Sequence, residues 1–254
     1  MSNTDDRAIT LTPLDEHDVA SFSQELLDLA APYDLSLSED MARTCVSHLL
    51  YVQQVNTYMN LTRIVDMHEA LTLHILDSLL LTRVLPVTPS HFLDMGTGAG
   101  FPGIPFHIFT GSYGVLLDSV GKKIKAVSAF IDALGLHGIQ GVHARLEEYA
   151  LREHRAFDLV CARAVGQLPL LIEYATPFLE EDGYLLLAKA NPDDDELSSG
   201  LKAASICGLK LVRTDEFDLP EGLGHRTVLL YQKVGNPKIQ LPRPTGTAKR
   251  QPLA

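Results

Sequence analysis

The sequence predicts an α/β protein, with a mostly parallel β-sheet finished by an antiparallel strand pair and an N-terminal helical region in front of it. Three observations carry that expectation. Up to about Leu85 the apolar residues recur at helical spacing. After Pro89 they gather instead in short runs separated by helical stretches, the alternation of a parallel sheet with crossover helices. The last two runs are joined by an acidic loop too short for a crossover helix, so they should pair antiparallel. With 254 residues, 46% of them hydrophobic, a chain of this size buries roughly 70–75% of the surface its unfolded form exposes. Ordinary apolar packing is then enough to hold the fold.

Taken in order, residues 1–20 are polar and acidic and are expected to be disordered, and residues 21–88 form the helical region. Met41, Cys45, Leu49, Val52, Asn56 and Met59 step along one helix face, with Ser38 placed to cap its start. Asn60-Leu61-Thr62 breaks that helix. Asp66, with Glu69 three residues later, has the spacing of a capping box for the next, whose apolar positions include Leu71, Ile75 and Leu79. Residues 89–235 form the α/β core, with strands expected at His91–Met95, Tyr113–Asp118, Gln140–Ala144, Asp158–Ala162, Tyr184–Ala188, Leu209–Thr214 and Thr227–Lys233. A helix over Lys122–Leu136 presents Ile124, Val127, Ile131 and Leu134 on one face. Residues 236–254 form a basic tail.

Charge and cysteine content exclude some classes. The net charge of −11 argues, as a sum, against a nucleic-acid partner. Its distribution argues otherwise: residues 1–40 carry ten acids and one base, leaving −2 for the other 214, and the last 19 hold four bases and no acid. Cys45, Cys161 and Cys207 lie too far apart for a zinc knuckle and read as reduced, packed thiols of a cytoplasmic protein. No histidine spacing suggests a metal site, and His74 reads as a buried hydrogen-bonding residue. Asp193-Asp194-Asp195-Glu196 reads as a solvated helix start. The N-terminus lacks a signal-peptide pattern. No apolar run approaches the roughly 20 residues of a membrane span, since His74, Asp77 and Arg83 interrupt the best one.

The segment most informative about function is Asp94-Met95-Gly96-Thr97-Gly98-Ala99-Gly100-Phe101-Pro102-Gly103, which follows a strand and opens a helix. Glycines there let the backbone turn sharply and approach a ligand. Asp118 ends the next strand, where a carboxylate accepts hydrogen bonds from ribose hydroxyls. Two cofactors fit. Gly98, Gly100 and Gly103 satisfy the dinucleotide pattern of an NAD enzyme. Gly96, Gly98 and Gly100, with Asp94 placed to meet an ammonium, satisfy the pattern for S-adenosylmethionine. Spacing leans towards the methyl donor and leaves NAD open, as it leaves open a tight turn with no ligand.

The stretch DMGTGAGFPGIP, followed by LLDSVGKKIKAV, resembles the bacterial 16S rRNA (guanine-N7)-methyltransferase family, also known as the glucose-inhibited division protein B family. Four further segments resemble it in order: Asn60-Leu61-Thr62, His74-Ile75-Leu76-Asp77-Ser78, Cys161-Ala162-Arg163-Ala164, and the ending from Pro242 to Leu253. The resemblance covers residues 36 to 253. Ala190 and Ala99 depart from it, standing where glycine and proline are frequent. It implies a class I S-adenosylmethionine-dependent methyltransferase, Rossmann-like in fold, acting on 16S rRNA or an assembling 30S subunit, possible as a monomer and independent of metal or membrane. It places cofactor contacts at Gly96, Phe101, Leu146, Glu147 and Arg163, which join Gly98 and Asp118 from the loop spacing and the strand end. Guanine N7 already has an in-plane lone pair and no proton, so the implied chemistry needs alignment and dryness and no general base. Arg163 and Lys189 are the expected catalytic donors to the target base, with His225 and Arg226 as further candidates; Phe101 is a candidate stacking surface, although packing against the cofactor is its favoured role. Lys122, Lys123, Lys125 and the tail bases are the expected phosphate contacts.

Overall fold

In a computed structural model of the chain, which describes residues 8–163 and 166–254, the core is one seven-stranded sheet in the order β3-β2-β1-β4-β5-β7-β6. Residues 1–7 of the acidic head and Ala164 of the Cys161–Ala164 segment lie outside the described residues.

Two helices open the fold, α1 (Glu16–Ala30) and α2 (Glu39–Asn56). The first corrects the expectation of disorder through residue 20. Asp15 caps it by accepting the His17 N–H, and Val19, Ser23, Leu26 and Ala30 are its buried positions. Ahead of it, the backbone of Thr12 exchanges two hydrogen bonds with the Gln54 side chain. The part of α1 that lies within residues 1–20 buries one apolar side chain, Val19, among the acids Glu16 and Asp18, so composition concealed it. Ser38 caps α2 as its spacing predicts, accepting from the Met41 N–H.

After a turn at residues 57–66, Asp66 accepts the Glu69 N–H and starts α3 (Met67–Ala70). This runs through a π-helical stretch, Leu71–Leu76, into α4 (Asp77–Leu80). The helical region has no separate core: Cys45, Leu49, Val52, Leu71 and Ile75 belong to the same buried cluster as Phe92, Ile104, Leu116 and Phe130.

The remaining elements alternate: β1 (His91–Met95), α5 (Gly103–Thr110), β2 (Tyr113–Asp118), α6 (Gly121–Ala133), β3 (Ile139–His143), α7 (Leu146–Tyr149), β4 (Phe157–Arg163), α8 (Leu168–Ala175), β5 (Leu179–Lys189), α9 (Asp194–Cys207), β6 (Leu209–Asp218), β7 (His225–Lys233) and α10 (Thr247–Arg250). Strands β1 to β5 pair in parallel, and β7 runs antiparallel between β5 and β6. Alternate side chains of the inner strands serve opposite faces. Leu186 and Ala188 join the cluster under α2, α5 and α6, while Leu185 and Leu187 join the one under α8 and α9.

The predicted spans of β1 and β2 match the structure, whereas β5 begins five residues earlier than its apolar run. Its opening stretch after Leu179, Glu180-Glu181-Asp182-Gly183, is polar, contains a positive φ at Asp182 and spans a register shift against β4. Such an irregular start carries no alternation to read. The three thiols are free and buried. Among the described residues no helix is long and apolar enough to cross a membrane.

Candidate active site

The sheet order reverses between β1, which continues to β2, and β4 on its other side, and the crevice at such a switch point is where open α/β sheets bind ligands. A cavity of about 830 Å³ lies there, against the C-terminal ends of β1, β2 and β4. That volume is within the usual range for small-molecule sites.

One wall is the glycine loop. Gly96 and Thr97 donate their N–H groups to the Leu117 carbonyl (2.8 and 3.1 Å), which folds the loop back over β2. Gly96 and Gly98 adopt positive φ values of 75° and 61°, and both line the cavity. A Cβ at Gly98 would meet no protein atom closer than 3.9 Å and so would project into open space. Gly103 serves packing instead, since a Cβ there would overlap the Leu116 and Asp94 side chains. The glycines of the two competing patterns are thus divided between cavity and core. Asp118 supports the loop with both oxygens: Oδ2 accepts the Gly98 N–H (3.1 Å) and Oδ1 the Val120 N–H (2.8 Å). Lys123 Nζ stands 3.7 Å from Oδ2.

Asp94 does not face the cavity. It is fully buried, and its Oδ2 accepts the Gly103 N–H (2.9 Å), so it ties β1 to α5 and is not placed to meet a ligand ammonium. Burial pushes its carboxyl up to about 6, against the opposing influence of the Thr97 side chain, the Gly103 N–H and the Arg163 charge. Because the folded value lies above the unfolded one, this group destabilises the fold increasingly as pH rises from about 4 to about 6, and fully above that. Relative to the wild type, Asp94→Asn should therefore gain up to about 3 kcal/mol as pH is raised from 4 to 7. Urea unfolding of both proteins across that range measures the difference, and a gap independent of pH would contradict it.

The floor is an aromatic layer. His48 reaches from α2 and bonds the Ala99 carbonyl through Nε2 (2.9 Å). Phe101 lies between two imidazoles, stacked on His74 (4.6 Å, 8°) and tilted against His48 (4.6 Å, 39°). Burial lowers His48 to about 4; burial and then the Arg163 charge lower His74 to about 3, so both rings are neutral. His74 Nε2 pairs with the Thr62 hydroxyl (2.9 Å), in keeping with the buried, hydrogen-bonding role expected of it. Phe101 is only 7% exposed with both ring neighbours in place, which corrects the idea that it offers a stacking face to a target base.

Arg163 Cζ sits 5.8 Å from the Phe101 ring centre, and the Arg163 Nη1 donates to the Leu73 and His74 carbonyls and to Asp77 Oδ2 (3.0 Å). Arg226 Nε also donates to both Asp77 oxygens (3.0 Å each). A buried carboxylate on α4, held between two arginines, therefore fixes Arg163 at the cavity.

Gly96, Gly98, Phe101, Asp118, Leu146, Glu147 and Arg163 all line this one cavity. Lys189 does not. Its Nζ bonds the Gly166 carbonyl (2.8 Å) and pairs with Glu196 (2.7 Å), so its charge is spent holding a lining residue and its expected role as a donor to the target base is corrected. Nor do the two further candidates: His225 bonds Asp218, and Arg226 is committed to Asp77. The lysine trio divides, with Lys123 at the cavity and Lys122 and Lys125 exposed outside its lining. Sequence reading missed Arg63, Arg145 and Tyr174 in the lining, which also includes Lys249, one of the tail bases expected to meet phosphate. Adjacency to Asn60-Leu61-Thr62 and to Leu146 was the available signal for Arg63 and Arg145.

Cationic side chains in the lining (Arg63, Lys123, Arg145, Arg163, Lys249) outnumber the two carboxylates, Asp118 and Glu147, on a chain of net charge −11. Among the described residues no cluster of His, Cys, Asp and Glu is arranged to hold a metal ion.

Comparison with known proteins shows what the chain is similar to in fold and in sequence. The fold resembles the P. horikoshii TYW2 protein solved in complex with MeSAdo, with a TM-score of 0.53 and 12% identity over 64% of this chain and 63% of that one. Proteins named ribosomal RNA small subunit methyltransferase G align along most of the chain. That of Lactobacillus acidophilus is 32% identical, covering 91% of this chain and 98% of its own. That of Desulfitobacterium hafniense is 37% identical, covering 78% and 83%. The family model described as rRNA small subunit methyltransferase G matches residues 42–222, a span that contains most of α2, the glycine loop, Asp118 and Arg163. The chain belongs to the rRNA small subunit methyltransferase G family.

Proposed function

We propose that this protein transfers the methyl group of S-adenosylmethionine to N7 of a guanine in 16S rRNA, within the cavity at the ends of β1, β2 and β4. The observation that carries the reading is the lining of that one cavity, which brings the loop glycines and the carboxylates Asp118 and Glu147 together with five cationic side chains, among them Arg63 on the helical-region turn.

The residues present fit the cofactor. Gly96 and Gly98 both hold positive φ, Gly98 leaves space where a side chain would stand, and Asp118 offers acceptor capacity at the end of β2. Leu146 and Glu147 supply an apolar contact and an acceptor beyond β3. When bound, S-adenosylmethionine supplies a methyl group activated by its sulfonium charge. The chain's own residues orient the two reactants and exclude water, which is where rate is gained when the nucleophile needs no deprotonation. Neutral His48 and His74 around Phe101 keep the cavity floor free of charge, and Asp77 balances Arg163. Arg63, Arg145 and Lys249 are the cations available to phosphates, so substrate affinity should fall steeply with salt. Acting on ribosomal RNA places the protein in the cytoplasm.

The test uses 16S rRNA from cells lacking the gene, incubated with the protein and labelled S-adenosylmethionine, followed by chain cleavage specific for N7-methylguanine. One new cleavage position is expected. Label incorporated at another position on the base, or binding of NAD in place of S-adenosylmethionine, would overturn the reading.

A further inference from the structure

The C-terminal residues, expected from their charge to be a phosphate-binding arm, are folded against the domain as a strap. Its root is fixed by the Lys238 N–H on the Ile206 carbonyl (2.8 Å) and by Lys238 Nζ on Ser205. Arg243 then makes a two-pronged ion pair with Glu173 of α8, Nε to Oε1 at 2.7 Å and Nη2 to Oε2 at 2.5 Å. The Glu173 side chain is only 3% exposed, and Arg243 also donates to the Gln251 carbonyl (2.8 Å), closing the strap on itself. Leu241 and Leu253 pack against the core cluster under α8, and Ala248 is buried.

Between these fixed points the strap reaches the cavity. Gly246, at a positive φ of 79°, donates its N–H to Glu147 Oε1 (2.8 Å), and Gly246 and Lys249 line the cavity beside Tyr174. Glu147 therefore has one oxygen engaged by the strap, which fixes its carboxylate before any ligand arrives. Lys238, Lys249 and Arg250 remain exposed, but Arg243, the base that ties the strap down, is spent on a buried carboxylate.

We propose that the strap is a built-in wall of the S-adenosylmethionine site, with Arg243 a positioning residue that acts on cofactor affinity through Gly246 and Glu147. This rests on the reading that the cofactor lies along Gly96, Asp118 and Glu147. Preorganised walls raise affinity because the ligand does not have to order them.

The experiment measures S-adenosylmethionine binding calorimetrically without RNA, together with separate KM values for cofactor and RNA, on the full chain. Arg243→Gln should raise the cofactor Kd and KM by about tenfold or more, as expected when a wall becomes mobile, while KM for RNA changes by less than about threefold. Arg243→Lys, which keeps the charge but not the two-pronged geometry, should recover part of the loss. Unchanged cofactor affinity with a raised RNA KM would overturn the proposal and make the segment an RNA arm. Should Arg243→Gln not fold, trypsin cleavage after Lys249 and Arg250 of the wild-type chain decides: S-adenosylmethionine is expected to slow it, and an equal rate with and without cofactor overturns the proposal. Asp118→Ala separates the two readings. If that variant binds cofactor normally, the placement of the cofactor has failed, whatever the strap does.

Discussion

Asp77→Ala is expected to destabilise the fold by about 3–5 kcal/mol, the cost of removing one partner from a buried charge cluster. The Asp77 side chain is 2% exposed, and those of Arg163 and Arg226 are 11% and 15% exposed. In the wild type one carboxylate serves both guanidiniums at 3.0 Å. Its removal leaves two positive charges facing each other across a cavity, with desolvation already incurred and no counter-charge. Asp77→Asn should cost less, since one acceptor oxygen remains. Both variants should also lose methyl transfer, because Arg163 would no longer be held beside Phe101. Urea unfolding at pH 7 measures the stability change. A midpoint lowered by the equivalent of less than about 1 kcal/mol would show that the cluster is solvated and behaves as a surface pair.

This cluster also marks the limit of what the sequence conveys. Asp77, Arg163 and Arg226 lie on α4, β4 and β7, and only the folded sheet brings them together. Arg226 was legible as a cation near the site but not as the partner that completes Asp77. His48 was invisible for the same reason: its spacing on α2 reads as core, and its bond to Ala99 crosses 51 positions. What was legible was local. The glycine loop follows a strand and opens a helix, so its backbone turn is dictated by adjacent residues, and the ends of β1 and β2 could be read to the residue. Lys189 shows the intermediate case. Its position at the end of β5 was right, but its partner Glu196 sits in the acidic run that opens α9, a segment that composition presents as merely solvated. The tail was misjudged in a related way: counting bases located it, but did not reveal that Glu173, buried on α8, had claimed Arg243.

Asp118→Ala is expected to weaken S-adenosylmethionine binding by about 10- to 100-fold, the range for losing a hydrogen bond to a charged group. Two contributions add. The carboxylate has acceptor capacity beyond the two N–H groups it already holds, and this is what a ribose would use. It also sets the loop itself, since Gly98 at φ 61° is held by Oδ2 and Val120 by Oδ1. Asp118→Asn separates them. An amide presents one acceptor oxygen and an NH2 that only donates, so it can satisfy only one of the two N–H groups and turns an N–H towards the other. The loop should therefore loosen even though side-chain volume is kept, and the asparagine variant should lose nearly as much affinity as the alanine one. Were the ligand contact alone responsible, asparagine would recover most of the binding, because its oxygen still accepts from a hydroxyl. Lys123→Ala is the control: its ammonium is 3.7 Å from the carboxylate on a partly exposed side chain, and its loss should shift cofactor affinity by no more than about threefold. Calorimetric titration of the three variants, with thermal unfolding to confirm the fold, decides among these outcomes. A wild-type-like Kd in Asp118→Ala would remove the β2 carboxylate from the site and with it the argument for where the cofactor lies.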